Sequence, residues 1–137
     1  MTEFALFDTP IGRLDSQMRR STIVTITLHN VTLDCDDPQR VASFWSAALG
    51  RPIDPEPSDG FVSIGIGDPA QTGWFFIKVP EQKQVKNRAH FDLHTEDREA
   101  EVERLLGLGA TKVGEYDEYG TRWTTLRDVE GNEFCVA

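Results

Sequence analysis

Cysteine is scarce in this chain: Cys35 and Cys135 are its only two thiols. Such a pair does not make the disulfide framework on which small secreted scaffolds rely. Long apolar runs are missing too. No stretch approaches the roughly 18 apolar residues of a membrane span, so no membrane partner is expected. Positive charge is the third shortage, with 14 Lys and Arg against 23 Asp and Glu and a formal net charge of −9. That field repels a polyanion and no basic stripe offsets it, so nucleic acid is not an expected partner. The opening residues Met1 to Asp8 have neither a basic start nor an apolar core, which predicts no secretion signal and a cytoplasmic location. Several chemical signatures are absent as well. There is no Ser-His-Asp order and no paired CxxC, and Gly65-Ile66-Gly67 lacks the third glycine and the helix of a dinucleotide site.

What is present describes one ordinary domain. The 137 residues are too few for two independent ones, and 39% hydrophobic with 27% charged residues is a globular balance. Residues 1–21 carry no sustained period and read as an N-terminal extension; Met18 before Arg19-Arg20 as a second start and an ordered arm over the domain both stay open. From Thr22 to Cys35 the chain is rich in β-branched residues, and Val31, Leu33 and Cys35 alternate with Asn30, Thr32 and Asp34, which predicts a strand over 28–35. Asp37 followed by Pro38 is a helix start, Val41, Phe44, Trp45, Ala48 and Leu49 form a one-sided apolar stripe, and Gly50 closes the helix. Strands follow at 61–66 and 73–79, with a weak one at 51–54. The pattern then restarts: a strand over 88–95, a helix over 97–108 opened by Asp97, and strands at 111–116, 121–126 and 132–136, the last two joined by the turn Asp128-Val129-Glu130-Gly131-Asn132.

The two halves agree in arithmetic. Asn30, Leu33 and Asp37 each stand sixty positions before His90, Leu93 and Asp97. A shared period of this kind is the mark of a duplicated supersecondary unit. The fold class is therefore α+β: two paired βαβββ modules, about 25–80 and 85–137 within a domain of 22–137, forming a half-open sheet barrel around a cleft. By strand parity Asn30, Ser63, His90, Asp92, Glu133 and Cys135 face that cleft, while Val31, Leu33, Val62, Ile64, Phe91, Leu93, Phe134 and Val136 pack against the helices.

The paired modules, together with Asp34-Cys35-Asp36-Asp37-Pro38, Phe44-Trp45, Leu49-Gly50, Lys86-Asn87-Arg88-Ala89-His90-Phe91-Asp92-Leu93 and Glu130-Gly131-Asn132-Glu133-Phe134-Cys135-Val136, resemble the bacterial glyoxalase-like domain of the vicinal oxygen chelate superfamily. The resemblance implies a cleft that in metal-using members holds a divalent ion on the first and last strands of each module. Those positions fall on Asn30, on a strand from Gly73 to Ile77 that carries no ligand group, on His90 and on Cys135. One expected imidazole of four ligands survives, so neither metal nor cofactor is expected, although His90, Glu133 and Cys135 with Asn30 would all face the cleft.

The resemblance thus implies a metal-independent, glyoxalase-like small-molecule-binding protein, expected as a homodimer. An enzyme reading makes it a lyase or isomerase with His90 and Glu133 as proton carriers; the alternative is a non-catalytic sequestration protein of the drug-resistance type. Trp74 and Trp123 are candidates for an aromatic wall, and Asn30, Ser63, Asp92 and Cys135 for further ligand contacts. For Glu133 a salt bridge to Arg88 or Arg122 competes with the catalytic role, for Cys135 an inert filler competes with a nucleophile, and for His90 a hydrogen bond within the sheet competes with a role in the cleft.

Overall fold

The computed structural model describes residues 23–137, so the extension expected at 1–21 lies outside it. The first module runs β1 (Asn30–Cys35), α1 (Pro38–Leu49), β2 (Phe61–Ile64) and β3 (Gly73–Lys78). The second runs β4 (Phe91–Leu93), α2 (Arg98–Gly107), β5 (Thr111–Glu118), β6 (Thr121–Arg127) and β7 (Glu133–Val136). Each helix begins on an aspartate whose carboxylate accepts a first-turn N–H, Asp37 from Arg40 at 3.1 Å and Asp97 from Ala100 at 3.0 Å. Gly50 closes α1 in the left-handed region, φ 64°.

The strands form two sheets, ordered β1-β3-β2 and β4-β7-β6-β5. In each, the first strand of the module pairs in parallel with the last. The registers repeat the duplication: Val31 faces Trp74 and Leu33 faces Phe76, and sixty positions on, Phe91 faces Phe134 and Leu93 faces Val136. Directly paired residues lie on one face, so these pairs, with Val62, Ile64, Thr124 and Leu126 beside them, make the core face of each sheet.

Several expected strands come out shorter: β1 begins at Asn30 rather than 28, β3 ends at Lys78 and β7 begins at Glu133. The one at 51–54 contracts to a single bridge between Ile53 and Ile64. Next to it the Asp54 carboxylate accepts from Ser63 Oγ and from the N–H groups of Gly65 and Ile66. This bonding, with Gly65 at φ 71°, also ends β2 two residues before the expected 66. The strand expected over 88–95 pairs only over Phe91–Leu93, because its partner β7 is itself four residues long. In the other direction, β5 extends to Glu118 rather than 116.

Both modules share one core. Trp45 of α1 is fully buried and stacks on Trp74 at 4.9 Å, while Phe134 meets it edge-on at 5.0 Å and Phe91 lies 4.8 Å from Trp74. The Trp45 indole N–H donates to Asp128 Oδ2 at 2.8 Å, and Asp128 Oδ1 accepts the N–H groups of Glu130 and Asn132. The expected β6–β7 turn thus forms around a buried carboxylate whose fellow ligand is a helix of the other module. Glu130 adds a second tie by accepting the Asp36 N–H at 2.8 Å.

Candidate functional site

The face of the four-stranded sheet turned away from the core carries Asp92, Tyr116, Trp123, Thr125, Arg127, Glu133 and Cys135, a consequence of period-two alternation along paired strands. It floors an open cleft of about 1070 Å³, with His90 just before β4 and residues 83–86 of the inter-module loop along one side. That volume suits a drug-sized molecule.

Among the described residues, the lining of this cleft comes from module two and the loop before it. Asn30 stays in the three-stranded sheet, where its amide meets His29 Nδ1 and Thr32 Oγ1. Ser63 is buried and donates to Asp54 at 2.8 Å. Trp74 lies on the core face and is stacked on Trp45, so it is no cleft wall. Trp123 does line the cleft, with Tyr116 stacked on it at 5.4 Å and 19° between the rings. Tyr116, Thr125 and Arg127 were legible in principle, since they share the phase of Trp123 across paired strands; Lys83 and Lys86 sit in a loop with no periodic signal.

Glu133 is placed by its bonds. It is 5% exposed, accepts from Lys83 Nζ and from the Asn87 N–H at 3.0 Å each, and has Arg127 Nε at 3.8 Å. Burial alone would raise its carboxyl, but the Asn87 and Lys83 donors outweigh that and hold it below the usual carboxylate range. The bridge partners are therefore Lys83 and Arg127, not Arg88 or Arg122. Asn87 donates also to Asn132 Oδ1 at 2.8 Å, so Glu133 and its neighbour pin the loop that walls the cleft. A carboxylate so engaged is a poor proton carrier.

His90 has Asp92 as its charged partner, Nε2 to Oδ1 3.4 Å. Cys135 is 9% exposed and lies 3.4 Å from Thr125 Oγ1; burial pushes its thiol up, and Asp92 adds to that. Cys35, on the core side, is raised by burial to about 12, and no disulfide joins the two. Of the positions at which metal-using relatives hold their ion, Asn30 is outside the lining of the cleft and β3 offers nothing. Yet the ligand atoms of His90, Asp92 and Cys135 lie within 4.8 Å of one another, so three donors converge where the first and last strands of module two run side by side.

Comparison with known proteins agrees with this architecture. A family model described as glyoxalase-like domain matches residues 30–137. No curated protein matches the chain. Among solved structures, a glyoxalase/bleomycin resistance protein/dioxygenase family enzyme from Burkholderia phytofirmans is similar at 19% identity and TM-score 0.65, covering 81% of this chain and 97% of that one. A point mutant of the Listeria monocytogenes fosfomycin resistance protein FosX, complexed with Mn(II) and 1S,2S-dihydroxypropylphosphonic acid, is similar at 15% identity and TM-score 0.67, covering 83% and 90%. The bleomycin-binding protein of Streptomyces verticillus, complexed with copper(II)-bleomycin, is similar at 18% identity and TM-score 0.58, covering 84% and 98%. At these identities the likeness establishes the fold. With the family model spanning both modules, the chain belongs to the glyoxalase-like domain family of the vicinal oxygen chelate superfamily.

Proposed function

We propose that this protein binds a small, partly flat organic molecule in the module-two cleft, and that binding rather than proton transfer between His90 and Glu133 is its main act. The observation that carries this reading is the Tyr116–Trp123 stack on the cleft wall, facing the same space as His90, Asp92 and Lys86. An aromatic pair takes the apolar face of a ligand, and a few polar groups around it fix orientation. The lyase or isomerase reading loses its second proton carrier, because Glu133 is already committed to Lys83 and Asn87. Relatives that bind bleomycin or carry the name of fosfomycin resistance support sequestration as the role.

Tryptophan fluorescence tests this directly, since Trp45 and Trp74 are buried in the core and Trp123 faces the cleft. Titration with bleomycin, fosfomycin and 8-anilinonaphthalene-1-sulfonate should quench or shift the emission for at least one probe, and Trp123→Phe should abolish that response. No response to any of the three, or a response that survives in the variant, would overturn the reading.

A homodimer is the assembly we infer. Ile23, Val24, Ile26 and Leu28, just before β1, expose 73–90% of their surface, and an apolar segment beside an edge strand is a surface that a second copy covers. A monomer mass in sedimentation at tens of micromolar, a range set by ordinary association energetics, counts against it.

A further inference from the structure

We infer that the molecule taken by the module-two cleft is an aromatic acid, with its flat ring system on the Tyr116–Trp123 stack and its anionic group held by Lys86 and Arg127. The assignment rests on the binding role proposed for that cleft and adds the sign of the ligand's charge. The chain as a whole argues the other way, since its net charge is −9. The cleft does not share that imbalance. Its lining carries Lys83, Lys86 and Arg127 against Asp92, Glu130 and Glu133. Which charge is left to meet a ligand then depends on how these groups are paired.

The carboxylates are occupied. Glu133 accepts from Lys83 and from the Asn87 N–H, and Glu130 accepts the Asp36 N–H at the junction with module one. Asp92 lies against the His90 ring on the β4 side, two strands and so about 10 Å from β6, which carries Trp123 and Arg127. The two remaining cations are not occupied. Among the described residues the Lys86 ammonium has no hydrogen bond and no ion pair. Arg127 has one charged neighbour, its Nε 3.8 Å from the same Glu133 oxygen that Lys83 already bridges, and its side chain is half exposed. The charge of Lys86 is also felt at the Cys135 thiol, in the middle of the floor, where it opposes the upward push of burial and Asp92. Spacing along β6 sets the shape of the ligand. Trp123 and Arg127 share one face of that strand, four residues and so about 13 Å apart, with the short, uncharged Thr125 between them. The floor therefore runs from an aromatic end to a cationic end over a neutral step. An acid on one or two fused rings matches that run: the ring stacks, and the anion meets a guanidinium and an ammonium with donors to spare.

2-Naphthoate and 2-naphthamide test the sign of the charge, being alike in ring and size. Calorimetric titration of the full chain should give naphthoate an affinity at least about tenfold above that of naphthamide, the scale of a charge-assisted hydrogen bond. The double variant Lys86→Gln/Arg127→Gln changes two exposed side chains and should bind the two compounds alike, with the naphthamide affinity left where it was. Lys78→Gln, on an exposed lysine at the end of β3 outside the lining, should keep the preference. Equal affinities in the wild type, a preference kept by the double variant, or the same loss in Lys78→Gln overturns the assignment of an acid and leaves the cleft as a binding site for flat molecules. Failure of both compounds to bind overturns it together with the binding role on which it rests.

Discussion

Module one and module two share an order of strands and a register, yet among the described residues the aromatic-walled cleft belongs to module two. Their core faces match pair for pair: Val31–Trp74 and Leu33–Phe76 against Phe91–Phe134 and Leu93–Val136. Their opposite faces have diverged. In module one Ser63 is tied to Asp54, the Arg51 guanidinium packs against Gly65, and the fourth strand is reduced to the Ile53–Ile64 bridge. In module two that fourth strand is the eight-residue β5, and with β6 it raises Tyr116 and Trp123 into a wall. The difference teaches where a duplicated fold is constrained. A shared core holds both copies to one apolar pattern, while the outer face of each sheet answers only to its own neighbours.

The largest effect should come from the element that joins the copies. Trp45→Ala removes the ring that touches Trp74, Phe91 and Phe134 and takes the indole N–H donor from the buried Asp128 carboxylate, which keeps its bonds from Glu130 and Asn132. A loss of about 3–5 kcal/mol is expected for such a truncation, read as a lower midpoint in a urea titration. The wild type should unfold in one cooperative step; two separable transitions would show that the modules do not share a core after all.

Glycine gives the next contrast. Gly65 and Gly120 both sit in the left-handed region, φ 71° and 74°. A Cβ at Gly120 meets open space, whereas at Gly65 it would strike the buried Arg51 guanidinium. Gly120→Ala should cost about 1 kcal/mol for backbone strain alone. Gly65→Ala should cost about 2–3 kcal/mol, because overpacking is added. Equal melting shifts would mean that the closed face of module one is looser than its packing implies.

The fold was largely legible because its signals are local and repeated: an aspartate before each helix, an apolar stripe on α1, and alternation in each strand. Strand parity also put His90, Asp92, Glu133 and Cys135 on the cleft side. It failed where tertiary partners decide. Trp74 carries the same aromatic signal as Trp123, and only its register opposite Val31 sends it into the core. Parity places Ser63 and Asn30 on an inner face without saying whether that face is open. For Glu133 a salt bridge was legible but its partner was not: Arg88 and Arg122 were the candidates, whereas Lys83 lies fifty positions away in an aperiodic loop.

That partnership predicts a modest, pH-linked effect. Glu133→Gln should cost about 1–3 kcal/mol at neutral pH, through the lost charge and weakened bonds to Lys83 and Asn87. The native carboxyl is held below its ordinary range, so its stabilisation is complete above the unfolded value near ~4.3 and fades as pH falls through the lower folded one. Wild type and variant should therefore converge in melting temperature under acid conditions. A gap that stays constant down to acid unfolding would show that the ionised carboxylate does not anchor the loop.

The smallest effect on stability, and the sharpest division between fold and site, belongs to His90. Its side chain is 42% exposed, lies outside the shared core and has the exposed Asp92 as its partner. His90→Ala should accordingly leave the urea midpoint within about 0.5 kcal/mol of the wild type. Its equivalent sixty positions earlier, Asn30, faces no cleft, so Asn30→Ala should be as mild in stability and silent in binding. In module two the same truncation removes the imidazole beside the Tyr116–Trp123 wall, and affinity for the probe that quenches Trp123 should fall about tenfold, or 1.4 kcal/mol. Matching losses of affinity in both variants would mean that the two inner faces meet in one site. A loss of about 1–3 kcal/mol in stability with binding unchanged, the cost of an orphaned polar partner, would make His90 a structural residue and leave the cleft to its aromatic wall alone.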